Sequence, residues 1–352
     1  MTWDVALILG IDGLANGAVY LLAGLGLVLI FSVTRVVFVP FGDVAAFAAL
    51  SLAAFETGRR PATIGLVLTL AAIAVLVESW SLARRGQKRR IPRALFGWGV
   101  LPALPCLAAW AIAGRAGIAS AVQVAVAIAL VVPITPLVAR IALQPIADAS
   151  VLVLLIASLA LHFLLSGLGL LFFGPEGSRT APLASGSLAL PGGFTMSAQV
   201  LLMIASALVL SGLFFLMFER TVVGKSLRAT AVNRVGARLV GIRPAKTALV
   251  AYTGASLLAG IIGVLIAPVT TVYYDSGFII GLKAFIAAII GGLVSYPLTA
   301  VGALAVGVFE SFASFWSGEL KDVLVFSLLI PVLLLRSFLA AHGEDEEEEI
   351  DA

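Results

Sequence analysis

Charge is scarce in this sequence. Only 12% of its 352 residues are Asp, Glu, Lys or Arg, where soluble domains carry about a quarter. Histidine occurs twice, as His162 and His342, and cysteine once, as Cys106 in an apolar stretch. One cysteine excludes an internal disulfide and a cysteine-built metal site. No H-E-x-x-H, no G-x-S-x-G and no carboxylates at metal-ligand spacing occur, so no catalytic residues and no metal ligands are assigned. Met1–Asp4 has no basic n-region, and the apolar run after it is too long for a signal-peptide core, so this segment is expected to stay attached.

What is present is apolar surface, 61% of the residues. Such a chain is expected to be all-α, a polytopic transmembrane helical bundle, because helices of about 20 residues joined by short loops use up its length. Apolar runs fall at 11–32, 41–55, 63–82, 96–113, 122–139, 150–173, 198–218, 247–268, 278–296, 299–317 and 322–339, which predicts about 10–11 spans. The run 41–55 is short and reads either as a crossing or as half of a broken helix; the second would move the N-terminus to the other side. Residues 1–343 form a single membrane domain and 344–352 an acidic tail with no assigned role. The loop Gly174 to Met196, with Pro175, Pro182 and Pro191, is expected to be irregular.

The bases are not spread evenly. Arg220, Lys225, Arg228, Arg234, Arg238, Arg243 and Lys246 crowd the segment 219–246 against the single acid Glu219. Placing it in the cytoplasm and alternating from there puts 16 bases inside and five outside, with Lys283 within a span. The inside set includes Arg35, the run Arg84 to Arg93, Arg140 and Arg336. These bases serve topology, so no nucleic-acid partner is expected, only the lipid bilayer. Within the segment Leu227, Ala231, Val235 and Leu239 recur at i, i+4, i+8 and i+12, one apolar stripe on a short helix. A solvated loop accounts for the charge but not for the stripe, which fits a partner's groove. The stretch E-R-T-V-V-G-K-S from Glu219 resembles a phosphate-binding loop only superficially, because glycine is missing at Glu219 and a membrane span precedes it. Any nucleotide would have to be bound by another subunit.

The remaining polar groups are isolated in spans, where a charge at the bilayer centre costs roughly 2.5–3.5 kcal/mol on translocon scales. Glu78, near the inner end of its span, reads as structural. Lys283 either snorkels outward or pairs with Glu310 on the next span. His162 reads as a neutral histidine bonded to a neighbouring helix or as part of a pathway. Glycines are concentrated late in the chain, at 254, 260, 263, 281, 291, 292, 302 and 307, where they let helix backbones approach closely.

At these residues the sequence resembles the LivH-type permease subunit of branched-chain amino acid ABC importers. The resemblance is densest in G-K-S-L-R-A-T-A-V-N-R-x-x-A-R-L-V-G-I from Gly224. It continues in G-L-K-A-F-I-A-A-I-I-G-G-L-V-S-Y-P, Gly281 to Pro297, then in Glu310 and in K-D-V at Lys321. N-G-A-V-Y-L-L-A-G-L-G-L at Asn16 is similar too, and L-Q-P-I at Leu143 and G-P-E-G-S-R at Gly174 are looser. Two departures stand out. Residues Pro61 to Ala119 look like an inserted pair of spans. Where the family usually has an N-F-A-H-G-E-like turn, this chain reads F-V-P-F-G-D, Phe38 to Asp43.

The resemblance implies a permease of a bacterial inner membrane with a cytoplasmic C-terminus and without an ATPase site of its own. Its partners would be a second permease subunit (LivM-like or a second copy), two ABC ATPases that carry ATP and Mg²⁺, and an extracytoplasmic solute-binding protein. No cofactor is expected in this chain. Gly224, Lys225, Leu227, Arg228, Ala231, Asn233, Val235, Leu239 and Gly241 would form the ATPase-coupling segment. Asn16, Tyr20, Phe41, Gly42, Asp43, His162, Lys283 and Glu310 would be the candidate substrate pathway. Branched-chain or related amino acids are the implied cargo, and the altered turn leaves urea, amides, a sugar or an aromatic acid as alternatives. A secondary transporter using Asp43, His162, Lys283 and Glu310 as an ion relay, and a membrane scaffold, are the rival classes.

Overall fold

The computed structural model describes residues 3–115, 117–189 and 195–334. The acidic tail 344–352, Arg336, His342, Pro191 and the end of the 322–339 run lie outside the described residues. The chain opens with α1 (Trp3–Thr34), re-enters the bundle through residues 35–40 and continues as α2 (Phe41–Glu56). Next come α3 (Thr63–Arg84), α4 (Lys88–Ile112), α5 (Ser120–Ile146) and α6 (Val151–Phe173). A loop carrying the antiparallel strands β1 (Ser187–Ala189) and β2 (Thr195–Ser197) leads to α7 (Ala198–Arg220), so part of the expected irregular loop is a small hairpin. The short helices α8 (Val222–Val232) and α9 (Arg234–Leu239) precede α10 (Pro244–Ile266), α11 (Ser276–Ile290), α12 (Tyr296–Trp316) and α13 (Lys321–Ser327).

Among the described residues eight helices are long and apolar enough to cross a membrane: α1, α3, α4, α5, α6, α7, α10 and α12. The molecule is a polytopic helical bundle. α2 has 16 residues and α11 has 15, both short of the roughly 20 that a crossing needs. The last apolar run begins on α13, turns at Leu328 and leaves the described residues after 334.

α1 is the axis of the bundle. It is apolar on every side, as a helix surrounded by others must be, and 94% of its most apolar window is buried. α12 lies antiparallel against it: a Cβ added at Gly13 would strike the backbone of Val308, one at Gly17 that of Leu304, and one at Gly307 that of Gly17. Between apolar helices in lipid, burial gives little net attraction, so such backbone proximity supplies the packing energy. α10 fits between α1, α2 and α5, where Ser256 Oγ donates to the Val131 carbonyl at 3.0 Å and Thr135 Oγ1 donates to Ser256 Oγ at 3.0 Å. α3 and α4, the expected insertion, lie on the periphery, with 28% and 17% of their apolar windows buried.

The loops sort into two ends. Arg35 donates to the Ala231 carbonyl and Arg234 to that of Val33. Arg140 pairs with Glu78, and Arg93 shares a cavity wall with Lys246. The basic loops therefore occupy one end. At the other, Ser178 bridges Val272, Arg179 donates to the Pro268 carbonyl, and Glu56 accepts from Ala181 N–H. The segment 35–56 thus joins the two ends, as a crossing does, although α2 itself is short.

Gly307→Ala is expected to destabilise the chain by about 1–3 kcal/mol, because backbone on both sides cannot give way. Gly65→Ala, whose Cβ meets nothing within 4 Å, is expected to be neutral. Thermal melts in detergent check this, and equal shifts for both variants would remove the packing claim.

Candidate functional site

The two short helices meet end to end inside the bundle. Arg35 has φ +62, and this left-handed residue turns the chain after α1 so that 36–40 run back inward. Val39 N–H donates to Ser158 Oγ of α6 at 2.9 Å, and α2 begins at Phe41 behind Pro40. α11 begins at Ser276 and comes so close that a Cβ on Gly42 would strike the Gly277 carbonyl, and one on Gly277 that of Gly42. Glycine is required on both sides. Each helix start also exposes N–H groups and the positive end of a dipole, and each has an aspartate: Asp43 in the first turn of α2, Asp275 just before α11.

Asp43 is fully buried, and its Oδ2 lies 2.7 Å from Nδ1 of His162. His162 is midway along α6, so the pair sits at the centre of a full-length span. Phe278, on the first turn of α11, stacks on the imidazole with centroids 4.5 Å apart. The other carboxylate oxygen, Oδ1, has no hydrogen-bond partner among the described residues. An acceptor left open in so dry a place is a point where a polar or cationic group can be held. Phe41 instead packs against α1 at Gly26 and shapes the turn.

A second ionic cluster belongs to α11. Lys283 Nζ donates to Glu310 Oε1 of α12 at 2.5 Å, and Tyr20 of α1 donates to Glu310 Oε2 at 2.5 Å. Asp322 Oδ1 of α13 forms a second ion pair with Nζ at 2.7 Å. The pairing of Lys283 with Glu310 is therefore the arrangement found, not snorkelling. Asn16 lies one turn before Tyr20 on α1. Toward the basic end, Phe38 and Tyr252 pack edge to face at 5.9 Å, both buried. Beyond them is a polar cavity of about 260 Å³ lined by Thr34, Arg140, Asp148, Arg234, Arg238 and Tyr252. Tyr252 thus lines that cavity while touching Phe38, three residues before the start of α2.

The basic segment is two helices, not one, and this corrects the single stripe expected from spacing. Asn233 ends α8 and caps α9, accepting from Val235 and Gly236 N–H at 2.9 Å. Leu227 turns inward against Leu29, Val33, Phe218 and Ala251, whereas Val235 and Leu239 are 66% and 83% exposed. Ala231 is half-buried, and Lys225 and Arg228 are exposed. Arg228 pairs with Glu219 and donates to the Phe218 carbonyl. Gly224 is required where α8 folds back, since a Cβ there would strike the backbone of Phe218, and Gly241, φ +85, turns the chain after α9. Spacing did not reveal Asp322, Phe278, Ser158 or the Phe38–Tyr252 pair. An acid on the final span within reach of a buried lysine was the one signal present; the others depend on which helices become neighbours.

Paired short helices and buried ion pairs at mid-depth define a membrane protein that manages polar groups inside the bilayer, as solute permeases do. Residues 10–333 match the family model described as "Branched-chain amino acid transport system / permease component", and the chain belongs to that family. It is 34% identical over 154 residues to the high-affinity branched-chain amino acid transport system permease protein BraD of Pseudomonas aeruginosa, covering 43% of this chain and 50% of BraD. It is 31% identical over 207 residues to the LivH protein of Escherichia coli, described in the same words, covering 56% of this chain and 66% of LivH. A probable LivH of Methanocaldococcus jannaschii is 31% identical over 142 residues, 39% of this chain and 44% of that protein. The chain thus spans from under half to about two thirds of the length of these relatives. No solved structure matches it.

Glu310→Gln leaves Lys283 with the partly exposed Asp322 as its one acid partner among the described residues and is expected to cost roughly 1–3 kcal/mol. Replacing both residues with apolar ones, Lys283→Met with Glu310→Leu, is expected to recover most of that loss. Denaturation in detergent decides this, and identical melting of the single and double variants would show that the pair does not hold α11 to α12.

Proposed function

We propose that this chain is the membrane-spanning permease subunit of an ATP-driven importer for a small polar solute, branched-chain or related amino acids being the cargo its relatives' names support. The observation that carries this reading is the basic segment. It is fastened to the bundle on one side and presents apolar groups on the other: Val222, Val232, Val235, Leu239 and Val240 are all exposed. Arg234 and Arg35 tie it to the end of α1, so a force on α8 and α9 is delivered to the axis of the bundle. Apolar groups among arginines suit a cleft with an apolar floor and acidic rim on an ATPase subunit.

In this reading two ATPases bind ATP and Mg²⁺, a second permease chain completes the pathway and an extracytoplasmic binding protein delivers the solute. The basic end faces the cytoplasm of a bacterial inner membrane. Asp43 and the exposed N–H groups at the two helix starts give an amino acid's ammonium and carboxylate opposite partners. Urea, amides, a sugar or an aromatic acid remain cargo alternatives because the turn Phe38 to Asp43 departs from the family pattern. The Asp43–His162 and Lys283–Glu310–Asp322 groups within the bundle favour one second reading, an ion-coupled transporter needing no ATPase. Uptake by the purified chain alone under a proton gradient would establish that reading instead.

Val235→Asp with Leu239→Asp is expected to reduce ATPase co-purification and solute uptake at least tenfold without changing the melting of the chain itself. Leu227→Asp, which buries a charge against Leu29 and Phe218, is expected to lower the yield of folded permease. Normal assembly and uptake by the Val235/Leu239 variant would defeat the docking claim.

A further inference from the structure

One helix of the peripheral pair, α4, helps to enclose a space that the transport reading leaves unused. α4, α5 and α10 surround a cavity of about 1030 Å³. Its walls are apolar, and among the described residues the only charged side chains lining it are Arg93 and Lys246. Both are exposed, and among the described residues neither makes an ion pair. Each stands near the start of its helix, so both charges lie at the same, basic end of the groove.

From that end the groove follows α10 from Lys246 to Leu257, about 16 Å at the helical rise, and α4 from Arg93 to Ala108, about 22 Å. One leaflet's hydrocarbon is about 15 Å deep, half of a bilayer core. The groove also opens sideways: Leu101, Leu104 and Leu257 line it while remaining 56%, 53% and 45% exposed on the lipid-facing surface. Small residues give it depth, among them Gly97, Ala108 and Ala129. Gly97 lies in the π-helical turn Phe96–Val100, and a Cβ there would meet nothing within 4 Å.

We propose that this groove binds an anionic phospholipid of the leaflet at the basic end, an acyl chain lying between α4 and α10 and the headgroup phosphate against Arg93 and Lys246. The length matches one leaflet, the mouth faces hydrocarbon where a water-soluble ligand does not partition, and two unpaired cations stand at headgroup level. A zwitterionic lipid brings its own cation to that level and gains less. A helix from a second chain would need an acid at that one depth to satisfy the same two cations. Because Lys246 closes the basic segment, the lipid would join the inserted helices to the part of the chain that faces the ATPases. The inference does not depend on the cargo or on the energy source.

The test uses the full chain reconstituted in nanodiscs of equal phosphatidylglycerol and phosphatidylcholine, with retained lipid counted by native mass spectrometry. Wild type is expected to retain phosphatidylglycerol at least fivefold over phosphatidylcholine. Arg93→Gln with Lys246→Gln should bring that ratio near one, and Gly97→Leu or Ala129→Leu should each at least halve total retention by filling the groove. Two groove-filling variants are used so that misfolding of one, read from its melting curve, still leaves a result. Equal retention of the two lipids by wild type, or unchanged retention in a folded groove-filled variant, would overturn the proposal. So would a groove-filled variant that keeps its lipid but no longer associates with a second permease chain, since the groove would then be a protein interface.

Discussion

Backbone contact between Gly42 and Gly277 is the constraint from which the interior follows. Two helix starts can touch inside a bilayer only if neither carries a side chain there and if each helix is short enough to begin at mid-depth. α2 and α11 meet both conditions, and the chain pays a cost of exposed N–H groups and facing dipoles where they meet. Asp43 lies in the first turn of α2 and Asp275 just before α11, where negative charge opposes those dipoles. The left-handed turn at Arg35 and the bond from Val39 to Ser158 hold the re-entering strand in place.

Once the helix starts are fixed, the ionic groups fall into position. The first turns of α2 and α11 bring Asp43 and Phe278 to His162, and two turns further along α11 Lys283 reaches acids on α12 and α13. A lysine and two acids buried in this way, with Asp322 partly exposed beside them, are not an efficient source of stability, because apolar replacements of a whole buried ion pair are often neutral or better. Their presence in the bundle is therefore better explained by use than by folding, and the open oxygen of Asp43 is where use is most direct. Phe38, a few residues before Asp43, packs on Tyr252, which lines the cavity at the basic end.

The outer parts of the molecule divide the remaining tasks. α8 and α9 are bound to α1 through arginine–carbonyl bonds and leave valines and a leucine in water, an arrangement that suits a lever with a removable partner. α3 and α4 lie at the edge, and α4 forms an apolar groove with α5 and α10. Both features border Lys246, so the lever and the edge are neighbours although they are far apart in sequence.

Membrane embedding, the helical class, the gathering of basic loops at one end and the family were legible in the chain, because each depends on composition, run length or local pattern. The basic stripe was legible in part: its spacing was right, but Asn233 is as good a cap as a helical residue, and only the fold shows that Leu227 faces inward while Leu239 does not. Lys283 and Glu310 could be suspected of pairing because a lone charge in lipid needs a partner. Asp322, Phe278 and Ser158 could not be assigned, because each contacts a residue far away in sequence and nothing local marks the meeting. What sequence determines here is what each segment must avoid, namely exposed charge in lipid and unpaired backbone. What tertiary structure decides is which segments satisfy one another, since in a medium as apolar as the side chains that choice rests on short-range backbone fit.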